Sequence, residues 1–257
     1  MDYQTIQLTK DDGYAVITLS RPDVKNALNK QMRAELLHAV KAAETSARAI
    51  VFTGSGDAFC SGQDLSNKSV NNANLERVLR DEYVPLLRAI YDCAVPTICA
   101  VNGPAAGAGA NLALAADVVI ATESAVFLQA FTRIGLIPDA GGTYWLPRQV
   151  GFARAMGAAL FAEPVTAKQA VEWGMIWEAV PDAEFDAHWR ARAAKLSSGP
   201  TMAYTYAKQA IRDSFGNSLE KQLLLEARLQ GKCGKTRDFR EGVLAFLEKR
   251  PADYEGR

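Results

Sequence analysis

Three short stretches of this sequence hold residues able to do chemistry. The first, Ile134-Gly135-Leu136-Ile137-Pro138-Asp139-Ala140-Gly141-Gly142-Thr143, sets one carboxylate among apolar and small residues, and residues 126–145 contain no other Asp or Glu. Lodged beside Leu136, Ile137, Pro138 and Ala140, Asp139 would have its charged form disfavoured by lost solvation, which moves its pKa toward that of a useful general base. An Asp after a Pro is also a common turn or helix-cap residue, and on spacing alone that reading comes first. The other two stretches, Ser61-Gly62-Gln63-Asp64 and Gly107-Ala108-Gly109, each follow a strand-like run. Two such loops could each aim a backbone N–H at one carbonyl oxygen, and fixed donors at a developing oxyanion are worth about two to three powers of ten in rate apiece. Tight turns explain the same glycines equally well.

Other reactive residues make weaker cases. His38 and His188 fall in helical patterns among charged neighbours and read as surface residues. Cys60, Cys93, Cys99 and Cys233 form neither a C-x-x-C pair nor a zinc spacing, so free thiols in a reducing compartment are expected, with no metal site. Gly107-Ala108-Gly109 is not G-x-G-x-x-G, because the next position of that motif is Leu112, and no phosphate-binding G-x-x-x-x-G-K-[ST] occurs.

The elements that must hold these loops are legible from periodicity. Runs at 6–8 and 14–19 alternate apolar with polar around Asp11-Asp12-Gly13, a hairpin signature. Asn29 can cap a helix whose Met32, Leu36, Leu37 and Val40 recur at helical spacing. Continuous apolar runs at 49–53, 96–101 and 117–121 read as strands covered on both faces. The run from Val101 to Asn111 is a strand end breaking into a small-residue loop that opens a helix over 112–116. From Ser66 to about Asn74 the chain is polar and poor in pattern, and mobility is expected at 66–72. A helix over 75–91 should turn Leu79, Val84, Leu87 and Ile90 inward. Strand, loop, helix and strand again imply crossover connections on a mainly parallel sheet, an α/β fold. Beyond Arg148 helices are expected at 152–160, 167–173, 183–196, 202–213 and 219–230. They carry more apolar surface than a thin appendage can bury on itself, which suits a subunit interface.

With 257 residues the chain can bury a sizeable core. The 29 basic and 29 acidic side chains cancel, so no electrostatic footprint for nucleic acid or an anionic membrane shows. No stretch approaches the roughly 20 apolar residues that span a bilayer, and the N-terminus has no leader pattern; a soluble, cytoplasmic protein is expected.

The order of motifs resembles the crotonase (enoyl-CoA hydratase/isomerase) superfamily: Arg21-Pro22 with Asn26-Ala27-Leu28, then Phe59-Cys60-Ser61-Gly62-Gln63-Asp64-Leu65, then Asn102-Gly103 through Gly109, then Pro138 to Thr143. The resemblance covers nearly the whole chain. It implies a spiral of ββα units with a C-terminal helical trimerisation region, with residues 1–195 as the acyl-CoA-binding core and 196–257 as the oligomerisation region of a homotrimer or a dimer of trimers. It implies Gln63 and Ala108 as the N–H donors to a thioester oxygen, and Lys25, Ala27, Asp64 and Leu65 along the coenzyme A groove. Coenzyme A enters as part of the substrate, and no separate cofactor is implied.

Where hydratases of this superfamily carry two glutamates, the sequence has Asn111 and Phe131, neither of which titrates near neutral pH. Asp139 stands where isomerases of the superfamily can carry an acid. The run from Ala130 to Asp139, with Arg154-Ala155-Met156-Gly157 and Glu172-Trp173-Gly174-Met175-Ile176-Trp177, is similar to the subgroup that isomerises ring-1,2-epoxyphenylacetyl-CoA to the oxepin in aerobic phenylacetate degradation and also shifts enoyl-CoA double bonds. Asn111, Phe131 and Trp145 are then expected to line the acyl pocket, and Asp139 to be the catalytic acid-base. A straight-chain enoyl-CoA isomerase or hydratase of fatty-acid oxidation, and a catalytically silent acyl-CoA-binding subunit, stay open as alternatives.

Overall fold

An Asp-Gly pair starts the architecture. Strands β1 (Ile6–Asp11) and β2 (Tyr14–Leu19) pair antiparallel from Ile6–Leu19 to Asp11–Tyr14, closed by Asp12 and Gly13, both at positive φ. Such a turn twists in the sense of the flanking strands, which fixes the register. The computed structural model describes residues 2–65 and 74–257, so the mobility expected at 66–72 lies outside the described residues.

β2 continues into a parallel array with β3 (Ala49–Gly54), β4 (Thr97–Val101), β6 (Val118–Thr122) and β9 (Glu178–Val180), in the order β1-β2-β3-β4-β6-β9. Alternate side chains along these strands serve two cores. Ala15, Ile17, Ile50, Phe52, Cys99 and Val101 face α1 (Lys30–Glu44) and α4 (Ala108–Leu114), whereas Tyr14, Val16, Val51, Ile98 and Ile120 face Phe185, Trp189 and Ala193 of α7 (Phe185–Ser197). A smaller sheet joins β5 (Ala105–Ala106), β7 (Val126–Leu128) and β8 (Val165–Thr166).

Asn29 caps α1 as expected, accepting from Met32 N at 2.8 Å. The 75–91 segment is helical but not uniform: α2 (Leu75–Val78) passes through a π-helical stretch at Leu79–Tyr83 into α3 (Val84–Tyr91). Val84, expected inward, is 50% exposed, and Tyr83 takes its place in the core. Four residues from Leu79 is about one helical turn, while the fifth is carried off the face. The helix after the small-residue loop begins at Ala108, not Leu112, because Gly107 supplies the positive φ that starts it.

Beyond α5 (Gly142–Phe161), kinked at Gly151, and α6 (Ala167–Glu172), the chain ends in α8 (Thr201–Ser214), α9 (Leu219–Cys233) and α10 (Arg237–Glu248). The last of these was not expected from the sequence. Large apolar side chains stand exposed on these helices, among them Phe152, Phe161, Ile211, Phe215, Leu219 and Phe246. Among the described residues the four cysteines are free, and no helix is long and apolar enough to cross a membrane.

Candidate active site

Three chain segments run side by side beneath the site. Phe59 N and Cys60 N donate to Pro104 O, and Ala106 N donates to Cys60 O, so the 59–60 segment lies along β5. On its other side Leu28 N donates to Gly62 O and Asp64 N to Leu28 O, which pairs Leu28 with Gln63. Glycine is required at the junction. Gly62 has φ +96°, and a Cβ there would lie 2.8 Å from Ala106 O and 3.4 Å from Ala108 N. The two small-residue loops therefore touch, which spacing could not establish.

This contact brings two backbone donors together. Gln63 N–H and Ala108 N–H find no acceptor among the described residues. Ala108 is the first residue of α4, so its N–H stands outside the helical ladder. On either side of the pair, Gly107 N donates to Leu128 O at 2.7 Å and Asp64 N to Leu28 O at 3.2 Å. Phe131, 7% exposed on the 3-10 turn Ala130–Ile134, brings its Cζ to 3.8 Å from where a Cβ on Gly107 would stand.

Asp139 is presented by a backbone turn with two consecutive residues in the left-handed region, Ala140 (φ 49°) and Gly141 (φ 85°). For alanine this conformation costs of order 1 kcal/mol or more and persists only where the surroundings enforce it. Enforcement comes through the main chain. Gly142 N donates to Asp139 O at 2.8 Å, and Asn111 Nδ2 donates to the same oxygen at 2.7 Å. The carboxylate is left over. It does not cap α5, whose N-cap is Gly141, and Asp139 Oδ1 is buried without a hydrogen-bond partner. Burial pushes the Asp139 carboxyl up to about 6. The turn-or-cap reading that spacing favoured thus does not describe this side chain.

Asn111 is fully buried and uses both ends of its amide, donating to Asp139 O and accepting from Gln129 Nε2 at 2.8 Å. It was expected as a pocket wall; its amide is occupied as a strut between α4 and the Asp139 turn. Trp145, also expected in the pocket, stands behind that turn. Its Nε1 donates to Ala140 O at 3.3 Å, its ring packs against Tyr91 and Tyr144, and it borders a cavity of about 400 Å³ whose lining includes none of Gln63, Ala108 or Asp139.

The four residues expected along the groove flank the Leu28–Gln63 pairing in the chain, Lys25 and Ala27 before Leu28 and Asp64 and Leu65 after Gln63. Exposed Lys25 (φ 51°) accepts from Ser61 N at 2.9 Å, and Leu65 is exposed. Arg21 Nη1 ties the other two together, reaching Ala27 O at 2.6 Å and Asp64 Oδ2 at 2.8 Å. In the sequence Arg21 and Asn26 appear only as parts of a motif. Fully buried Asn26 donates to Ser55 O and Ala58 O and accepts from Arg21 N, so it fixes the turn that carries Lys25 and Ala27. An Asn shortly after Pro22-Asp23, a residue type that tolerates the positive φ it has here (56°), is the available signal.

The Gln63 side chain is engaged as well as its backbone. It reaches Arg33 and Tyr83, in helical segments that no short-range pattern associates with it. Burial raises the Tyr83 phenol, with the charge of Arg33 opposing the rise and that of Asp139 adding to it.

Known proteins resemble the chain over its full length. A family model described as enoyl-CoA hydratase/isomerase matches residues 9–257. A probable enoyl-CoA hydratase of Rhodobacter capsulatus is 63% identical over 257 residues, covering 100% of both chains. The 1,2-epoxyphenylacetyl-CoA isomerase of Escherichia coli K12 is 44% identical over 253 residues, 96% of this chain and 97% of the relative. The solved structure of a putative enoyl-CoA hydratase/isomerase from Mycobacterium abscessus superposes with a TM-score of 0.93 at 35% identity, covering 98% of this chain and 100% of that one.

Proposed function

The chain belongs to the enoyl-CoA hydratase/isomerase family, the crotonase superfamily, and from that premise we propose that it is an acyl-CoA isomerase. Its substrate in this reading is ring-1,2-epoxyphenylacetyl-CoA, which it converts to the oxepin thioester, and it also moves double bonds in enoyl-CoA thioesters. The observation that carries the reading is a single carboxylate, Asp139, buried without a partner at Oδ1; the family resemblance implies that Asn111 and Phe131 stand where hydratases carry their two glutamates.

The thioester oxygen accepts from Gln63 N–H and Ala108 N–H, and these donors stabilise the enolate-like charge that forms as a proton beside the carbonyl moves. Donors already in place cost no reorganisation at that moment, which is why such sites contribute a few kcal/mol each. Asp139, ionised above about pH 6, takes a proton from one carbon and returns it to another, or assists opening of the epoxide ring. Isomerisation neither adds nor removes atoms, so one carboxylate suffices. Hydration consumes water and needs a second group to activate it, and neither an amide nor a phenyl ring serves. The flat face of Phe131 suits a cyclic acyl group. Similarity to a 1,2-epoxyphenylacetyl-CoA isomerase supports this substrate, and the probable enoyl-CoA hydratase among the relatives supports the thioester class.

In this reading coenzyme A comes with the substrate and lies along Lys25, Ala27, Asp64 and Leu65. Residues 1–195 form the catalytic core, and residues 196–257 join copies into a homotrimer or a dimer of trimers. The exposed Leu219, Phe246 and Leu247 support such a covered face. The test is a panel of thioesters: a ring-epoxide, a 3-enoyl and a 2-enoyl substrate. Turnover of the first, slower shift of the second and negligible hydration of the third are expected. Hydration of the 2-enoyl thioester faster than either isomerisation would overturn the proposal.

A further inference from the structure

Gln63 carries an amide side chain at a position where only its backbone N–H is asked to act, and every polar atom of that side chain is engaged. Its Oε1 accepts from Tyr83 Oη at 2.6 Å and from Arg33 Nη1 at 2.9 Å, and its Nε2 donates to Asp64 O at 3.3 Å. Arg33, 4% exposed, also donates to Leu28 O at 2.7 Å, so one guanidinium holds both residues of the Leu28–Gln63 pairing. Glu82 pairs with Arg33 at 2.6 Å, and the guanidinium carbon stands 4.9 Å from the centroid of the Tyr83 ring. Tyr83 and Glu82 lie in the π-helical stretch, a distortion that recurs at functional sites because it re-aims side chains.

We propose that Arg33 and Tyr83 are positioning residues, which grip the side-chain oxygen of Gln63 from two separate helical segments and so hold its backbone N–H on the thioester oxygen. The inference rests on the reading of that N–H as an oxyanion donor. Neither residue touches substrate; each acts through Gln63. A rotation of the 62–64 segment would move the N–H away from the developing charge, and the grip opposes that rotation with two hydrogen bonds converging on one atom, one of them from a cation.

The experiment compares wild type with Tyr83→Phe, Arg33→Lys, Gln63→Leu and the double variant Gln63→Leu with Tyr83→Phe. Isomerase kinetics, thermal melts, and difference infrared spectra of a bound saturated acyl-CoA labelled with ¹³C at the thioester carbonyl are recorded for each. The wild-type carbonyl stretch is expected to shift to lower frequency on binding. In Tyr83→Phe and Arg33→Lys the shift shrinks, kcat falls roughly tenfold and KM stays within about threefold, a partial loss of one preorganised donor. In the double variant the loss equals that of Gln63→Leu alone, because Tyr83 has nothing left to act through. A full carbonyl shift and full kcat in Tyr83→Phe, or losses that multiply in the double variant, would overturn the inference while leaving the oxyanion reading intact. An unshifted wild-type carbonyl would remove the oxyanion reading and this inference with it.

Discussion

Asp139→Asn should make the protein inactive and, near neutral pH, more stable. The Asp139 carboxyl stands at about 6 against an ordinary 3.8, and burial is the cause. A shift of about two units at ~1.4 kcal/mol each puts the cost of holding the ionised group at about 3 kcal/mol, or about 1–2 kcal/mol allowing for its partial contact with solvent. The sign follows from a folded pKa above the unfolded one. Below about pH 4 both states are protonated and no cost exists; it grows between about pH 4 and 6 and is fully present above. Asparagine never ionises, and the bonds that fix the turn run to the backbone oxygen of residue 139, so they survive the change. Thermal melts of the variant at pH 7.5 should lie about 2–6 °C above wild type, with the gap nearly closed at pH 4. Isomerisation should fall by at least about two to four powers of ten, while binding of a saturated acyl-CoA, read by calorimetry, stays within a few-fold. A melting difference that does not vary with pH would refute the desolvation argument. Near-wild-type turnover would remove Asp139 from the chemistry.

The wild-type kcat/KM should fall about tenfold per unit below about pH 6, as the base takes up its proton, and be flat from about 7 to 9; a limb near pH 4 would contradict the burial of the acid. Asn111→Ala removes the strut to Asp139 O and strands Gln129 Nε2. Denaturant titration should show a loss of about 2–4 kcal/mol, and kcat should drop more than KM rises. If the proposed trimer forms through the exposed Leu219, Phe246 and Leu247, replacing all three with Asp should lower the mass measured by light scattering without abolishing the folded circular-dichroism signal, and an unchanged mass would exclude these residues from such an interface.

What could be read in advance is what short-range pattern dictates. The hairpin follows from Asp12-Gly13, the buried strands from unbroken apolar runs, and α1 from Asn29 ahead of a helical repeat. The smaller sheet escaped because its strands, β5, β7 and β8, are two or three residues long and offer no period to detect. α10 escaped although it is amphipathic; Phe239 and Phe246 stand exposed on it, so its apolar repeat does not report a core within this chain. Val84 reads as inward because a five-residue step from Leu79 resembles helical spacing among apolar positions, although it falls off the face. In the site, the glycines and the acid were legible as residue types. Their meaning depended on Gly62 meeting Ala108, on Arg21 joining Ala27 to Asp64, and on Arg33 and Tyr83 reaching Gln63, contacts between residues far apart in the chain.

A site with one acid places a demand that a site with two can share: the group that removes the proton must still be in place to return it. Here the acid rides on a turn with two left-handed residues, and that turn is held chiefly through the backbone oxygen of Asp139, by Gly142 N and by Asn111 Nδ2. Asn111 serves that geometry, its amide held by Gln129 Nε2 while it donates to Asp139 O. Access for the Asn111 amide depends on the absence of a side chain at residue 142, where a Cβ would lie 2.4 Å from Nδ2 and 2.9 Å from Cγ. Gly142→Ala removes no polar group and keeps an ordinary helical residue at the start of α5, yet it should push the amide off Asp139 O and reproduce the kcat loss of Asn111→Ala. The pH limb near 6 should remain, because the carboxyl itself stays buried. Full turnover in Gly142→Ala would show that the acid holds its place without the strut, and the role assigned to Asn111 would have to be withdrawn.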